Sequence, residues 1–309
     1  MAVGRVARES LRVHILAATE SLAAAGVAAP RYDAEELAAF LLETPRMRLG
    51  LHPLVETEWV ETYRQLVVRR ASRIPLQHLT GTAVLGRAVV AVGPGVFIPR
   101  PETEVLVEWA LTAIREIRAP VVVDLCSGTG AIALAIAVAR PDAVVHAVER
   151  APGALAWARR NIETHVAAGG SPIDLRGGDV IDQRLLTDLD GTVDLVTANP
   201  PYVPAGTPVE PEVGVHDPTE AVFAGPDGLD VIRPLISIAA GLLKPGGVLA
   251  MEHDDTHGET VPALLSARRV LADVADHDDL TGRPRFVTAR RVTLPLRWLE
   301  DPRRQRQHL

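Results

Sequence analysis

In the first third of the chain, apolar and polar residues repeat with the period of an α-helix. Leu11, Ile15 and Leu22 stand four and seven positions apart, which places them on one face of a helix. The same pattern predicts three helices, over residues 10–25, 34–43 and 56–73. We therefore expect residues 1–75 to form a small helical domain with this apolar stripe in its core.

The pattern then changes to that of a sheet. From residue 76 to residue 99, alternating residues between glycines predict a β-hairpin linker. Further strands are predicted at residues 121–125, 144–149, 193–198, 247–252 and 286–294 and before Gly178, and helices at 102–118, 131–139, 154–166 and 229–243. This alternation is typical of a mostly parallel sheet with helices on both faces. We assign residues 100–295 to this α/β domain and residues 296–309 to a polar tail.

Composition and charge narrow the functional classes. Hydrophobic residues make up 47% of the 309-residue chain and charged residues 23%, which is ordinary for a soluble globular protein. The net charge of −7 weighs against nucleic acid and anionic membrane as partners. Cys126 is the only cysteine, which excludes an intramolecular disulfide and a cysteine-based metal site. Because no apolar stretch reaches membrane-spanning length, we expect a cytoplasmic enzyme.

A glycine-rich loop follows the strand predicted at residues 121–125. Gly128 and Gly130 allow a tight turn and a close approach of the backbone to a ligand. Glu149 ends the next predicted strand, 19 residues after Gly130. A carboxylate at that position can accept hydrogen bonds from ribose hydroxyls. The two features together predict a site for an adenosine-containing cofactor.

This spacing suits either a nicotinamide dinucleotide or S-adenosylmethionine. Asp124, at the end of the strand before the loop, is placed to hold the positively charged amino end of a methionine moiety. Asp179 and Val180, after the third predicted parallel strand, are placed to meet the adenine amino group and the face of its ring. A diphosphate-binding motif requires neither feature. We therefore favour S-adenosylmethionine over the alternative, a nicotinamide-dependent oxidoreductase.

The sequence Asn-Pro-Pro-Tyr at residues 199–202 forms a stiff corner after a predicted buried strand. Neither proline can donate to a sheet, and Pro200 keeps Asn199 extended. The Asn199 side-chain oxygen and the Pro200 carbonyl can each accept one hydrogen of a planar –NH2 group. Tyr202 can cover the flat face of that group. We interpret residues 199–202 as the place where such a group is methylated.

These motifs resemble those of the peptide chain release factor glutamine-N5 methyltransferases, the HemK/PrmC family. The similarity covers nearly all of residues 75–291 and includes the motifs at residues 75–81, 97–104, 124–130, 199–202 and 228–230. It implies a class I S-adenosylmethionine-dependent methyltransferase fold, Rossmann-like with a mostly parallel seven-stranded sheet, and a small N-terminal helical domain for release-factor docking. It also implies methylation of N5 of the glutamine in the Gly-Gly-Gln motif of bacterial class I release factors, which act in translation termination.

The resemblance implies roles for individual residues. S-adenosylmethionine would be contacted by Cys126, Ser127, Gly128, Thr129, Gly130, Glu149, Val180 and Asn199, in addition to Asp124 and Asp179. The substrate glutamine would be held by Asn199, Pro200, Pro201 and Tyr202. Of these, Asn199, Pro200 and Tyr202 would act in catalysis.

The sequence leaves one alternative function open and departs from the HemK/PrmC family in one segment. Adenine-N6 methyltransferases of DNA and RNA share the Asn-Pro-Pro-Tyr corner, so adenine methylation is the alternative function. At residues 252–257 the chain has Glu-His-Asp-Asp-Thr-His where the HemK/PrmC family has Glu-Ile-Gly. His253 and His257 have the spacing of helical metal ligands, but no third ligand is evident. We therefore predict an exposed loop and the start of a helix rather than a metal site. We expect a monomer with neither nucleic acid nor membrane as a direct partner.

Overall fold

The computed structural model describes residues 8–182 and 184–293, which divide into two compact units. The helical unit consists of the chain up to Thr82, together with Val92–Pro94 and Val209–Asp217. The sheet unit consists of Ala83–Ala91, Gly95–Pro208 and the chain from Pro218 onward. The domain boundaries at residues 75, 99 and 295 stay predictions. The two compact units do not follow these boundaries: the predicted linker is shared between them, and Val209–Asp217 belongs to the helical unit.

The helices of the helical unit follow the predicted ones. They are α1 (Leu11–Ala24), α2 (Pro30–Leu41), α3 (Thr57–Ala71) and the unpredicted α4 (Leu76–Thr80), and the strands β1 (Arg8–Ser10) and β2 (Leu54–Glu56) form a short antiparallel pair. Helix α2 begins earlier than predicted because the fixed φ of Pro30 suits the first turn of a helix. Leu11, Ile15 and Leu22 are buried, which confirms the predicted core stripe.

A buried cluster of charges connects α2, α3 and the segment 209–217 within the helical unit. Arg70 Nε donates to Asp33 Oδ2 at 2.7 Å, and a second nitrogen of Arg70 lies 2.8 Å from Glu212 Oε1. Arg70 and Asp33 are both buried, so each supplies the counter-charge that the other needs. Although burial opposes the shift, hydrogen bonds from Arg73 and Arg70 lower the pKa of Glu212 to about 2. Glu212 is therefore ionised when it is paired with these arginines.

A seven-stranded sheet forms the centre of the sheet unit, in the order β10-β11-β9-β8-β5-β6-β7. Its strands are β5 (Val121–Leu125), β6 (Val144–Glu149), β7 (Ile173–Gly177), β8 (Val193–Ala198), β9 (Leu243–Glu252), β10 (Leu271–Asp278) and β11 (Pro284–Arg291). Five strands, β5 to β9, are parallel to one another, whereas β11 runs antiparallel to both β9 and β10. This arrangement confirms the predicted mostly parallel seven-stranded sheet. The predicted end of the last strand, residue 294, lies outside the described residues.

The other elements of the sheet unit surround this sheet. The helices are α5 (Thr103–Ala113), α6 (Ala131–Ala139), α7 (Pro152–Ala167), α8 (Thr219–Val222), α9 (Ile232–Leu242) and α10 (Thr260–Ser266). Strands β3 (Thr82–Leu85) and β4 (Ala88–Ala91) form a separate two-stranded sheet where the hairpin was predicted. Among residues 8–182 and 184–293, no helix combines the length and apolar character needed to span a membrane.

The order of the strands creates a position suited to a ligand. Strand β5 lies between β6 and β8, so the chain leaves β5 on one side and later returns to pair with it on the other. Leu125 and Ala198, at the carboxyl ends of β5 and β8, are partners in the parallel register. Doubly wound sheets bind their ligands at such a reversal point, outside the carboxyl ends of the strands.

Candidate active site

A cavity of about 330 Å³ lies at the carboxyl ends of the parallel strands, within the sheet unit. Its wall contains the segments that follow four strands: residues 126–129 after β5, 149–151 after β6, 179–181 after β7, and Asn199 and Pro201 after β8. The fold therefore brings the glycine loop, the predicted ribose carboxylate, the predicted adenine contacts and the corner residue Asn199 around one space. Gly130, Asp124, Pro200 and Tyr202 lie outside the lining.

The glycine loop joins β5 to α6 along the wall of this cavity. Gly130 has φ +80°, a conformation that residues with a Cβ rarely adopt. Within the described residues, Thr129 Oγ1 is buried and has no hydrogen-bond partner, although Thr129 lines the cavity. Its hydroxyl is therefore available to a ligand. Burial raises the pKa of the Cys126 thiol, which keeps this loop residue protonated rather than nucleophilic.

Glu149 is held rigidly at the edge of the cavity. It is buried, and its two carboxylate oxygens accept hydrogen bonds from backbone amides: Oε2 from Gly128 at 2.8 Å and Oε1 from Ala151 at 2.7 Å. Each carboxylate oxygen has a second lone pair, so Glu149 can also accept from a ligand hydroxyl. The carboxylate thus connects the glycine loop to the start of α7.

Asp124 lies beneath the loop rather than in the cavity. It is fully buried, and its oxygens accept hydrogen bonds from Ser127 Oγ at 2.5 Å and Thr197 Oγ1 at 2.9 Å. Burial raises the pKa of Asp124 to about 6, against the opposing effect of these two hydrogen bonds. The structure therefore places Asp124 where it shapes the loop, and not where it would contact the amino end of a methionine directly.

The charges on the cavity wall distinguish between the two cofactors considered above. Glu149, Asp179, Glu220 and Asp230 line the cavity, and Arg150 is the one basic residue among its described lining residues, which gives a formal net charge of −3. Arg150 is itself paired with Asp179 at 3.2 Å. A negative wall favours a sulfonium cation over the diphosphate of a nicotinamide dinucleotide. The residues present therefore fit S-adenosylmethionine.

The corner at residues 199–202 continues directly from β8. Asn199 is half-buried, lines the cavity and donates from Nδ2 to Thr103 Oγ1 at 3.4 Å. The bond uses one of the two Nδ2 hydrogens and sets Nδ2 on the side of Thr103, which leaves the acceptor Oδ1 as the branch of the amide for a ligand. Pro200 is buried beside it, and Pro201 also lines the cavity.

The position of Tyr202 is fixed by a close approach of the backbone. Gly228 has φ +75°, and a Cβ at this position would lie 2.2 Å from the Tyr202 carbonyl oxygen. Tyr202 is half-buried against the main core of the sheet unit and does not line the cavity. Its contact with the face of a substrate stays a prediction.

The prediction that His253 and His257 lie in an exposed loop is wrong, because both are buried. His253 Nε2 lies 2.7 Å from Asp276 Oδ1, and His257 Nε2 lies 2.9 Å from the Asp227 carbonyl oxygen. The two rings are therefore engaged by separate partners. In the described residues, no group of three or more His, Cys, Asp or Glu side chains is arranged to hold a metal ion.

The sequence analysis assigned no role to several polar residues that line the cavity, among them Thr103, Arg150 and Asp230. Thr103 and Asp230 lie inside the motifs at residues 97–104 and 228–230. The motifs identified these segments of the chain but gave no role to either side chain. Arg150 directly follows Glu149, and its ion pair with Asp179 depends on a strand pairing that the sequence does not show.

Comparison with known proteins decides the family. Residues 15–81 match the PrmC N-terminal domain, and residues 89–214 match the methyltransferase small domain. The release factor glutamine methyltransferase of Mycolicibacterium smegmatis is 52% identical over 282 residues, which cover 91% of this chain and 98% of that protein. This chain belongs to the release factor glutamine methyltransferase family. Its cofactor is S-adenosylmethionine, in agreement with the charge of the cavity.

Other members of the release factor glutamine methyltransferase family match over similar lengths. The protein of Streptomyces coelicolor is 50% identical over 286 residues, covering 91% of this chain and 98% of its own length. That of Mycobacterium tuberculosis H37Rv is 46% identical over 305 residues, covering 96% and 98%. The matches include both the helical and the sheet unit, so the family assignment applies to the whole described chain.

Proposed function

We propose that this chain transfers a methyl group from S-adenosylmethionine to the side-chain nitrogen, N5, of the glutamine in the Gly-Gly-Gln motif of bacterial class I release factors. The observation that carries this proposal is the Asn199 amide, which reaches the wall of the negatively charged cavity with its nitrogen already engaged. The names of the relatives, release factor glutamine methyltransferases, support this substrate.

The positions of the cavity residues support the proposed cofactor-binding roles. Glu149 would accept hydrogen bonds from the ribose hydroxyls, and Asp179 and Val180 would meet the adenine amino group and ring. Thr129 and the loop residues Cys126, Ser127 and Gly128 would contact the rest of the cofactor. Gly130, which does not line the cavity, would support the turn of the loop. Asp124 would act indirectly, through the Ser127 hydroxyl. When bound, S-adenosylmethionine supplies an electrophilic methyl group on a positively charged sulfur.

The corner would overcome the low reactivity of the substrate. A carboxamide nitrogen is a poor nucleophile because its lone pair is delocalised into the carbonyl group. If Asn199 Oδ1 and the Pro200 carbonyl accept its two hydrogens, the nitrogen is held with its lone pair directed at the methyl group. Positioning of this kind contributes up to about 7–11 kcal/mol in favourable cases.

The same acceptors would assist the later part of the reaction. Positive charge develops on the nitrogen as the bond to the methyl carbon forms, and the oxygens of Asn199 and Pro200 stabilise that charge. The methylated nitrogen is acidic, so it can release its extra proton to water without a strong general base. Pro201 and Tyr202 would hold the corner and the glutamine side chain in place.

We propose a separate role for each domain. Residues 1–75 dock the release factor, residues 76–99 link the two domains, and residues 100–295 carry catalysis. Removal of residues 1–75 should therefore raise the KM for the release factor more than the KM for S-adenosylmethionine.

We also propose that the protein is a cytoplasmic monomer with no nucleic-acid substrate. Chromatography with light scattering would test whether it is a monomer.

One experiment separates this function from its alternative. The chain is incubated with methyl-labelled S-adenosylmethionine and a class I release factor, and in parallel with DNA and with RNA. We expect label in the release factor alone, on the glutamine of its Gly-Gly-Gln motif. Label in DNA or RNA, with none in the release factor, would favour adenine-N6 methylation instead.

A further inference from the structure

A buried amide side chain on α7 joins the glycine loop to the end of β4. Asn161 is only 6% exposed. Its Oδ1 accepts a hydrogen bond from the Ala91 amide at 2.8 Å, and its Nδ2 donates to the carbonyl oxygens of Ala91 and Thr129, both at 3.0 Å. All three residues belong to the sheet unit. Asn161 does not line the cavity, and the mechanism described above assigns no role to it.

The Thr129 carbonyl is a group that needs a donor. Thr129 is only 2% exposed, and a buried carbonyl oxygen without a hydrogen bond is costly. The hydrogen bonds of α6 begin one residue later, where the Gly130 carbonyl accepts from the Leu134 amide. Asn161 Nδ2 therefore supplies the donor that the helix does not supply.

This bond also fixes the turn of the loop. The Thr129 carbonyl and the Gly130 nitrogen belong to one planar peptide group, so a donor that holds the oxygen also holds the plane. The chain then turns at Gly130, where φ is +80°. A Cβ added at Gly130 would lie 3.7 Å from the Ala158 Cβ. Ala158 and Asn161 are three positions apart on α7 and both are buried, so one face of this helix supports the loop.

Ala91 determines which way the Asn161 amide points. Oδ1 meets the Ala91 N–H, and Nδ2 gives one hydrogen to each of two carbonyl oxygens. The opposite orientation would place Oδ1 against both carbonyl oxygens, where it has nothing to donate. The site requires one acceptor and two donors from one short side chain, and asparagine provides this set.

We propose that Asn161 is a positioning residue for S-adenosylmethionine binding, because it ties the Thr129 carbonyl, and with it residues 126–129 of the cavity wall, to the end of β4. This inference rests on the cofactor-binding role proposed above for those loop residues. The amide touches neither the cavity nor the reacting atoms. It therefore acts on the affinity for the cofactor and not on the methyl-transfer step.

Two variants of the full chain remove the proposed link. Asn161→Asp keeps the size of the side chain and an acceptor for Ala91, but an ionised carboxylate has no hydrogen for the two carbonyl oxygens. Asn161→Ala removes the whole amide. Thr164→Asp, on the exposed face of α7, controls for the added charge. Tyr63→Phe controls for reduced stability, because it loses a buried hydrogen bond of 2.8 Å within the helical unit.

Five quantities are measured for each protein. They are the melting temperature, the calorimetric Kd for S-adenosylhomocysteine, the KM for S-adenosylmethionine, the KM for a release factor, and kcat with both substrates saturating. All binding and rate measurements are made well below the melting temperature of the least stable variant, so that each protein is folded.

We expect both Asn161 variants to raise the Kd for S-adenosylhomocysteine and the KM for S-adenosylmethionine by about 10-fold, as for the loss of one hydrogen bond that orders the site. The saturated kcat and the KM for the release factor should stay within about 2-fold of wild type. Thr164→Asp and Tyr63→Phe should keep the wild-type Kd, although Tyr63→Phe should have a lower melting temperature.

The inference is overturned if a folded Asn161 variant has a lower melting temperature but keeps the wild-type Kd and KM for the cofactor. A fall in kcat with both KM values unchanged would contradict it as well. Neither result affects the proposed function, which fails only if wild type itself does not methylate the release factor.

A measurement on wild type decides the matter if neither Asn161 variant folds. Nuclear magnetic resonance follows the hydrogen exchange of the two Asn161 Nδ2 protons with and without S-adenosylhomocysteine. If the amide holds the loop that the cofactor contacts, saturation should slow this exchange several-fold. Unchanged exchange would refute the inference.

Discussion

The close approach of Gly228 to Tyr202 gives the sharpest prediction about the corner. In Gly228→Ala, the new Cβ would lie 2.2 Å from the Tyr202 carbonyl oxygen and 2.9 Å from His257 Cε1. Carbon–oxygen contacts normally lie at about 3.3 Å or more, so the Tyr202 backbone must move by about 1 Å. A displacement of this size at a positioned reaction centre can lower the rate by about 100-fold.

The matched control is Gly282→Ala. Gly282 has φ +79°, almost the same as the +75° of Gly228, but an added Cβ there meets nothing within 4 Å. Both variants should lose about 1–2 kcal/mol of stability because alanine is strained at positive φ. Gly228→Ala should lose about 1–3 kcal/mol more, because its Cβ also displaces the Tyr202 backbone. Only Gly228→Ala should also lose kcat in a release-factor methylation assay.

Unfolding in urea measures the stability loss in both variants, and calorimetry with S-adenosylhomocysteine shows whether the cofactor site survives. If Gly228→Ala and Gly282→Ala retained the same kcat, the corner would not depend on this contact. The reasoning that links a rigid Tyr202 backbone to catalysis would then be refuted.

Two further predictions concern stability, both measured by urea unfolding. Burial raises the pKa of Asp124 from 3.8 to about 6, so the folded protein binds this proton more tightly than the unfolded chain does. The stability of wild type relative to Asp124→Asn should therefore fall by about 2 kcal/mol from pH 4 to pH 7, and a difference independent of pH would contradict this. Arg70→Ala leaves Asp33 and Glu212 without their partner and should cost about 3–5 kcal/mol, against less than about 0.5 for Arg69→Ala on the exposed face. Equal losses in the two arginine variants would argue against a buried charge cluster.

Elements with a strong local pattern were predicted closely from the sequence. Strand β5 and helix α6 have the predicted bounds, because a continuous apolar run and the glycines of the loop mark both ends. The sequence analysis did not predict strand β10, because its local pattern is weak. It lies at the sheet edge, carries exposed polar residues, and is irregular around Asp273, which has φ +53°. Helix α9 starts later than predicted because Gly228 holds a turn there.

The candidate site was predictable only in part. The glycine loop, Glu149, Asp179 and the corner lie at or just after the carboxyl ends of parallel strands, so the sequence could place them together. The motifs at residues 97–104 and 228–230 follow no strand of that sheet, and the sequence offered no reason to place them at the cavity. Contacts between distant segments could not be predicted in this way. Thr103 meets Asn199 across 96 positions in the chain, and His257 is buried because it meets the Asp227 carbonyl. Such contacts depend on the order of strands in the sheet, which local patterns do not specify.

The most direct test of the central claim is the site and extent of methylation by wild type and Asn199→Ala. A release factor is treated with each protein and S-adenosylmethionine, and peptide fragmentation by mass spectrometry locates any added methyl group. We expect wild type to methylate the glutamine side chain, and Asn199→Ala to fold and bind S-adenosylhomocysteine but to lose most turnover. Methylation at another residue by wild type, or near-normal glutamine methylation by Asn199→Ala, would contradict the account.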